Sequence, residues 1–222
     1  MRFSVESWAP EYGVGADERT LDDADTAVDV GVEMSPDAWT PISPRARPAP
    51  AIAFVDGVRR IDARIWIDSG GRSWSAVCAS IGAGVVVADE RGARLDKYRV
   101  RRILVAPPDA MADSVTTRHG RYELVASVDD GAEAQYLAIH EAMTALELDL
   151  DVPTEPAGSA SLTIYDGPLR GRDKAAAVGY IKTQRVQYLD EGVAPIVAAL
   201  TPGQRTPAFG VGGPRGRPRT SV

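Results

Sequence analysis

The chain predicts an α/β fold built on a mixed sheet, and three observations lead there. Valine- and isoleucine-rich runs, one with period-two alternation, recur between residues 51 and 105. A long stretch free of proline, 132–149, has the composition of a helix. A further apolar run, 160–166, follows that helix, so strands flank it on both sides.

Each element has its own warrant. Residues 1–50 predict an irregular extension with one strand within Thr26 to Met34, followed by a linker marked by Pro41, Pro44, Pro48 and Pro50. Ile52 to Val55 is continuously apolar, as expected for a strand covered on both faces. Ile61, Ala63, Ile65 and Ile67 alternate with Asp62, Arg64, Trp66 and Asp68 and predict a second strand. Asp68-Ser69-Gly70-Gly71 reads as a turn, and Trp74 to Ala88 as a third strand. With short turns between them, these three predict an antiparallel meander. Tyr98 to Val105 and Tyr122 to Val128 are further strand candidates around a polar excursion at 107–120.

Asp129-Asp130-Gly131 places acid at the start of the helix Ala132 to Asp149, and Pro153, Pro156 and Gly158 end it. Its apolar stripe includes Ala134, Leu137, Ala138, Ala145 and Leu148. A strand at 160–166, another at Ala175 to Ile181 and a second helix over Asp190 to Leu200, with Pro195 in its middle, complete the order. Gly210 to Arg219 is rich in glycine, proline and arginine and predicts a disordered tail. The expected division is therefore a 1–50 extension, a 51–210 domain and a 211–222 tail. Meander, helix and a fourth strand parallel to the first is the order of a ribonuclease-H-like sheet.

Composition narrows the function. The chain has 222 residues, 44% hydrophobic and 25% charged, which is ordinary for a soluble globular protein. A net charge of -6 argues against a protein that coats nucleic acid, while leaving room for a local basic rim. Cys78, the lone cysteine, excludes an intramolecular disulfide and a cysteine zinc cluster, and its apolar setting reads as core. No apolar run has membrane-spanning length and the N-terminus lacks signal-peptide order, so a cytoplasmic protein with no membrane partner is expected.

Two strands end in the same way, Ile52-Ala53-Phe54-Val55-Asp56-Gly57 and Leu162-Thr163-Ile164-Tyr165-Asp166-Gly167. Each reads as a strand that delivers a carboxylate at its carboxyl end, with glycine opening a turn. Side by side, the two carboxylates would repel unless a cation sat between them, so they read as part of a divalent-metal site. Hydrolysis of a phosphodiester by Mn²⁺ or Mg²⁺ needs three or more hard oxygen ligands, which two ions can share, and Asp56 and Asp166 would supply two of them. A third ligand from the helix is expected. Glu141 is the first choice, four residues after Leu137 and four before Ala145, with Glu133 and then Glu147 behind it. Against this, an Asp-Gly after a strand is often only a turn, and a glutamate on a helix is often only solvated.

Four segments resemble the NurA family of nucleases: Phe54-Val55-Asp56-Gly57, His140-Glu141-Ala142-Met143, Ile164-Tyr165-Asp166-Gly167-Pro168-Leu169 and Val178-Gly179-Tyr180-Ile181-Lys182. The resemblance covers 51–210. It implies a ribonuclease-H-like fold, Mn²⁺- or Mg²⁺-dependent digestion of DNA in end resection and repair, a homodimer, and a hexameric HerA-type ATPase as partner. By it, Asp56, Glu141 and Asp166 are metal ligands and Lys182 meets a phosphate. Arg59, Arg60 and Arg64 beside the first Asp-Gly, with Arg170, Arg172 and Lys174 beside the second, would form a basic rim. Val58 and Pro168 stand where the family often has serine, and a later acidic or histidine ligand is missing, since His119 and His140 both precede Asp166. Two rival readings follow: a catalytically weak or inactive subunit on an ATPase, and a small-molecule enzyme on an unrelated α/β scaffold.

Overall fold

A computed structural model describes residues 2–5, 27–45, 47–150, 161–169, 176–182, 188–212 and 219–221. In chain order the strands are β1 (Arg2–Val5), β2 (Val28–Asp29), β3 (Ala51–Ser69), β4 (Arg72–Asp89), β5 (Gly92–Ala106), β6 (Val115–Thr117) and β7 (Gly120–Ala126). The helix α1 (Ala132–Leu148) comes next, then β8 (Ser161–Asp166), β9 (Ala177–Tyr180), α2 (Pro195–Ala199), β10 (Phe209–Val211) and β11 (Arg219–Ser221). The chain forms two compact units, Met1–Ala16 with Ala49–Lys182, and Asp17–Pro48 with Thr183–Val222. No helix among the described residues is long and apolar enough to cross a membrane.

The first unit is α/β, a mixed sheet in the order β6-β7-β5-β4-β3-β8-β9 with β1 paired to the distal half of β3. β3, β4 and β5 are antiparallel neighbours of 19, 18 and 15 residues. Gly70 and Gly71 both have positive φ, as the tight hairpin joining β3 to β4 requires. β8 runs parallel to β3, and β9 parallel to β8.

The meander differs from the one expected. The runs 52–55 and 61–67 are not two strands but one, β3, which passes straight through Asp56-Gly57. β4 pairs with β3 along almost its whole length and β8 holds its first five residues from the other side. Those ladder hydrogen bonds outweigh the local turn preference of Asp-Gly. Gly57 is not among the positive-φ glycines, whereas Gly167 is (φ 79), so only the second Asp-Gly opens a turn.

α1 covers one face of this sheet. Ala138, Ile139 and Leu146 pack with Ala53, Val55, Val77, Ala79, Ile81, Val85, Ile103, Val105 and Tyr165. Gln135, also buried, pins the start of the helix by donating to the carbonyl of Ser75 at 2.9 Å. On the other face the register slips between Ile61 and Ala63, a bulge at Asp62, and a second cluster forms from Ile65, Ile67, Ala76, Cys78, Leu104, Ala106 and Ala110.

The second unit holds the three-stranded sheet β2-β10-β11 and a core of Trp39, Leu189, Val193, Phe209 and Val211. Two expectations are corrected here. The segment beginning at Val211 is not a featureless tail, since Val211 is buried in β10 and β11 pairs with β10; residues 213–218 lie outside the described residues. The second helix spans only Pro195–Ala199, because Pro195 sits in its first turn, where a missing N–H costs nothing, and begins the helix instead of interrupting it.

Candidate functional site

Parallel pairing of β3 with β8 runs from Ala51↔Ser161 to Val55↔Tyr165, and the next residue on each strand is an aspartate. Val55 and Tyr165 are buried under α1, so Asp56 and Asp166 project from the opposite, open face. Both are exposed, on central strands about 4.8 Å apart. The sheet thus brings together two carboxylates that lie 110 positions apart in the chain (166 less 56).

Lys182 joins them. Its Nζ donates to Asp166 Oδ2 at 2.9 Å. That hydrogen bond and the charge of Asp166, with a smaller contribution from Asp56, hold the ammonium above the ordinary lysine range. The turn behind Asp166 is tied back to the sheet by Gly167 N–H, which donates to the carbonyl of Tyr180 at 2.9 Å. Gly179 lets β9 approach that turn: a Cβ there would lie 2.5 Å from the carbonyl oxygen of Gly167.

The helix residues do not join the pair. Glu141 and Glu133 are exposed, and Glu141 lies on the side of α1 away from the residues that pack on the sheet. Glu147, the third choice, is buried; its carboxylate lies against Gly57, where an added Cβ would collide with Oε1, on the α1 side of β3 and not the Asp56 side. Arg59 also faces α1. It donates to Tyr136 Oη at 2.9 Å, contacts His140 Nε2 at 2.5 Å, and stacks over the Tyr136 ring. Arg60 pairs with Asp62. His119 is exposed between β6 and β7. Arg170, Arg172 and Lys174 lie outside the described residues. Cys78 is core, its thiol pushed up to about 11 by burial and then by the charge of Asp62.

Cross-strand register extends the site beyond what the sequence singled out. Asp56 is opposite Gly84, Gly84 opposite Tyr98, and Asp166 opposite Tyr180. Tyr98, Gly84, Asp56, Asp166 and Tyr180 therefore form one row across five strands on the open face. No linear signal marked this row: Tyr98 is interleaved with Lys97, Arg99 and Arg101, but their pairing with Val85, Ala83 and Ile81 puts those cations on the α1 side.

Among the described residues no group of three or more His, Cys, Asp or Glu side chains is placed to hold a metal ion. Two carboxylates suffice for a different arrangement. Mg²⁺ and Mn²⁺ are commonly held by one or two carboxylates, with waters and a substrate phosphate filling the remaining positions. The donor set of Asp56 and Asp166, both hard oxygens open to solvent, fits that arrangement. Compared with protein-family models and with curated proteins, the chain matches none, so the resemblance to NurA-type nucleases rests on the four short segments alone.

Proposed function

We propose that this chain is a divalent-metal-dependent nuclease acting on DNA, with Asp56 and Asp166 holding a single Mn²⁺ or Mg²⁺ ion. The observation that carries the reading is the register of β3 against β8, which sets the two carboxylates side by side on the open face. The order β5-β4-β3-β8-β9, with β4 antiparallel to its neighbours and β8 and β9 parallel to β3, supports a ribonuclease-H-like frame. Bound there, the ion would supply Lewis-acid polarisation of a phosphodiester and an activated water.

The protein's own groups do the positioning. Asp56 and Asp166 fix where the scissile phosphate must sit. Lys182, already paired with Asp166, can exchange that partner for a phosphate oxygen and so neutralise the incoming backbone. A homodimer and a hexameric HerA-type ATPase partner belong to the same reading, through the family resemblance. Digestion of end-labelled single-stranded DNA with Mn²⁺ tests it. The wild type cleaves, whereas Asp56→Ala and Asp166→Ala lower the rate by at least about a hundredfold, the scale expected for losing a metal's transition-state stabilisation. Cleavage that survives both substitutions removes the proposed site.

One observation favours a second reading. Lys182 already compensates the charge of Asp166 with no ion present. A wild type that binds DNA but leaves it intact identifies the chain as the non-cleaving subunit of such an assembly.

A further inference from the structure

β5 has two hydrogen-bonding sides, and over most of its length only one is used. β4 pairs with it from Gly92 to Val105, whereas β7 joins the other side only from Ile103 to Ala106. Among the described residues no strand pairs with that other side between Gly92 and Arg102, which leaves an open edge about 37 Å long. The pairing also sorts its side chains. Arg94, Lys97, Arg99 and Arg101 stand opposite Val87, Val85, Ala83 and Ile81 and share the α1 side. Leu95, Tyr98 and Val100 point to the other face and are 60%, 68% and 62% exposed. We infer that this edge accepts an extended segment of another protein as an added β-strand, one with Asp or Glu at alternate positions and apolar residues between them. The edge lies two strands away from Asp56, so the inference does not depend on the nuclease reading.

Charge and period select this occupant. Residues 91–102 carry six Lys and Arg against one Asp, in a chain whose net charge is -6, and residues 91–100 are all exposed. Arg94 and Arg101 hold Asp89 and Glu123 through exposed ion pairs, which are weak and open to exchange. Asp96 is the extra residue of a bulge, so strict alternation runs from Lys97 to Arg102. Side chains on one face of a strand recur about every 6.8 Å, so alternating acids in an added strand meet successive cations. The apolar residues between them then lie beside Leu95, Tyr98 and Val100. Cations also guard an edge against unwanted pairing, but a guarded edge has no need of three exposed apolar side chains on its second face. A second copy is disfavoured: two β5 edges joined antiparallel with their apolar sides together set cation against cation, which destabilises a sheet. Nucleic acid would use the cations and leave the apolar side and the open main-chain groups unused.

Fluorescence anisotropy with a labelled peptide of alternating glutamate and valine, at low salt and on the full chain, tests the inference, and hydrogen exchange of the same complex locates the contact. The wild type binds this peptide, and amides within 92–102 gain protection as their open groups are paired. A peptide of the same composition with its glutamates in one block binds at least about tenfold more weakly, because it cannot match the alternation. The double variant Lys97→Glu/Arg99→Glu loses the glutamate peptide at least about tenfold and gains a peptide of alternating lysine and valine. That gain also shows the variant to be folded. No binding by the wild type, equal binding of the block peptide, binding without protection of 92–102, or a double variant that does not switch peptides overturns the inference. Protection of 92–102 that rises with protein concentration in the absence of peptide overturns it in favour of a second copy. Failure of the peptide, together with binding of an oligothymidylate that the same reversal abolishes, overturns it in favour of nucleic acid.

Discussion

Replacing Gly179 by alanine probes the frame that holds Asp166 in place. The new Cβ would lie 2.5 Å from Gly167 O, 2.9 Å from Leu169 N and 3.1 Å from Pro168 Cα. All three are main-chain atoms of the turn that leaves β8, so no change of rotamer relieves the overlap. Real Cβ atoms almost never approach a neighbour within 3.0 Å, so β9 and the turn must part by at least 0.5 Å, the difference of 3.0 and 2.5. Overpacking of this kind costs about 1–3 kcal/mol, and the backbone location puts Gly179→Ala at about 3 kcal/mol. For a chain of this size each kcal/mol lowers Tm by about 2–4 °C, so far-UV circular dichroism should show a drop of about 6–12 °C. Gly84→Ala, where the Cβ meets only ordinary contacts, is the control and stays within about 2 °C. Separation of the turn from β9 also weakens the Gly167–Tyr180 hydrogen bond and moves Asp166 against Lys182, so Mn²⁺-dependent cleavage falls in Gly179→Ala even below its melting range. A Gly179→Ala protein that melts with the wild type and cleaves normally would refute the reasoning.

Three further outcomes follow from the same contacts. Arg59→Ala loses its hydrogen bonds to Tyr136 and His140 and its stacking over the Tyr136 ring, and denaturant titration should show a loss of about 2 kcal/mol. Cleavage per folded molecule should not change; a selective loss of cleavage would return Arg59 to the substrate. Glu33 accepts from Arg205 and from the Ala208 N–H, which lower its pKa to about 2. A depressed carboxyl adds stability above its unfolded value near 4.5 and loses it as the pH falls towards 2, so Glu33→Gln should flatten the acid limb of the second unit's melting curve; an unchanged limb contradicts this. Cys78, with its thiol near 11, is about a thousandth ionised at pH 8, so a thiol reagent should label it only as the protein unfolds; rapid labelling of the native protein would contradict its core placement.

The parts of the fold legible in the sequence were those with one dominant local signal. α1 ends within a residue or two of its expected bounds because acid opens it and prolines follow it, and β8 ends at Asp166 because Gly167 takes the positive φ of a turn. Asp56-Gly57 carried the same local signal and obeyed a different rule, because β4 continues to pair with β3 through these residues whereas β8 ends at Asp166. The buried side of α1 was illegible for another reason. Apolar residues surround the helix, and the stripe through Leu137 and Ala145 that drew attention to Glu141 proves to be exposed, Leu137 at 53%. The sheet instead takes Gln135, Ala138, Ile139, Leu146 and Glu147, two of them polar, which no hydrophobic pattern would select. The row from Tyr98 to Tyr180 exists only through cross-strand register, which a linear reading cannot supply.

The claim on which the account depends is that Asp56 and Asp166 hold one divalent cation between them. Calorimetric titration of Mn²⁺ into the wild type, Asp56→Asn and Asp166→Asn measures this directly, apart from any cleavage. One Mn²⁺ bound per chain is expected for the wild type, with binding weakened at least about tenfold by either substitution. No binding by the wild type, or binding that both substitutions leave intact, would contradict it.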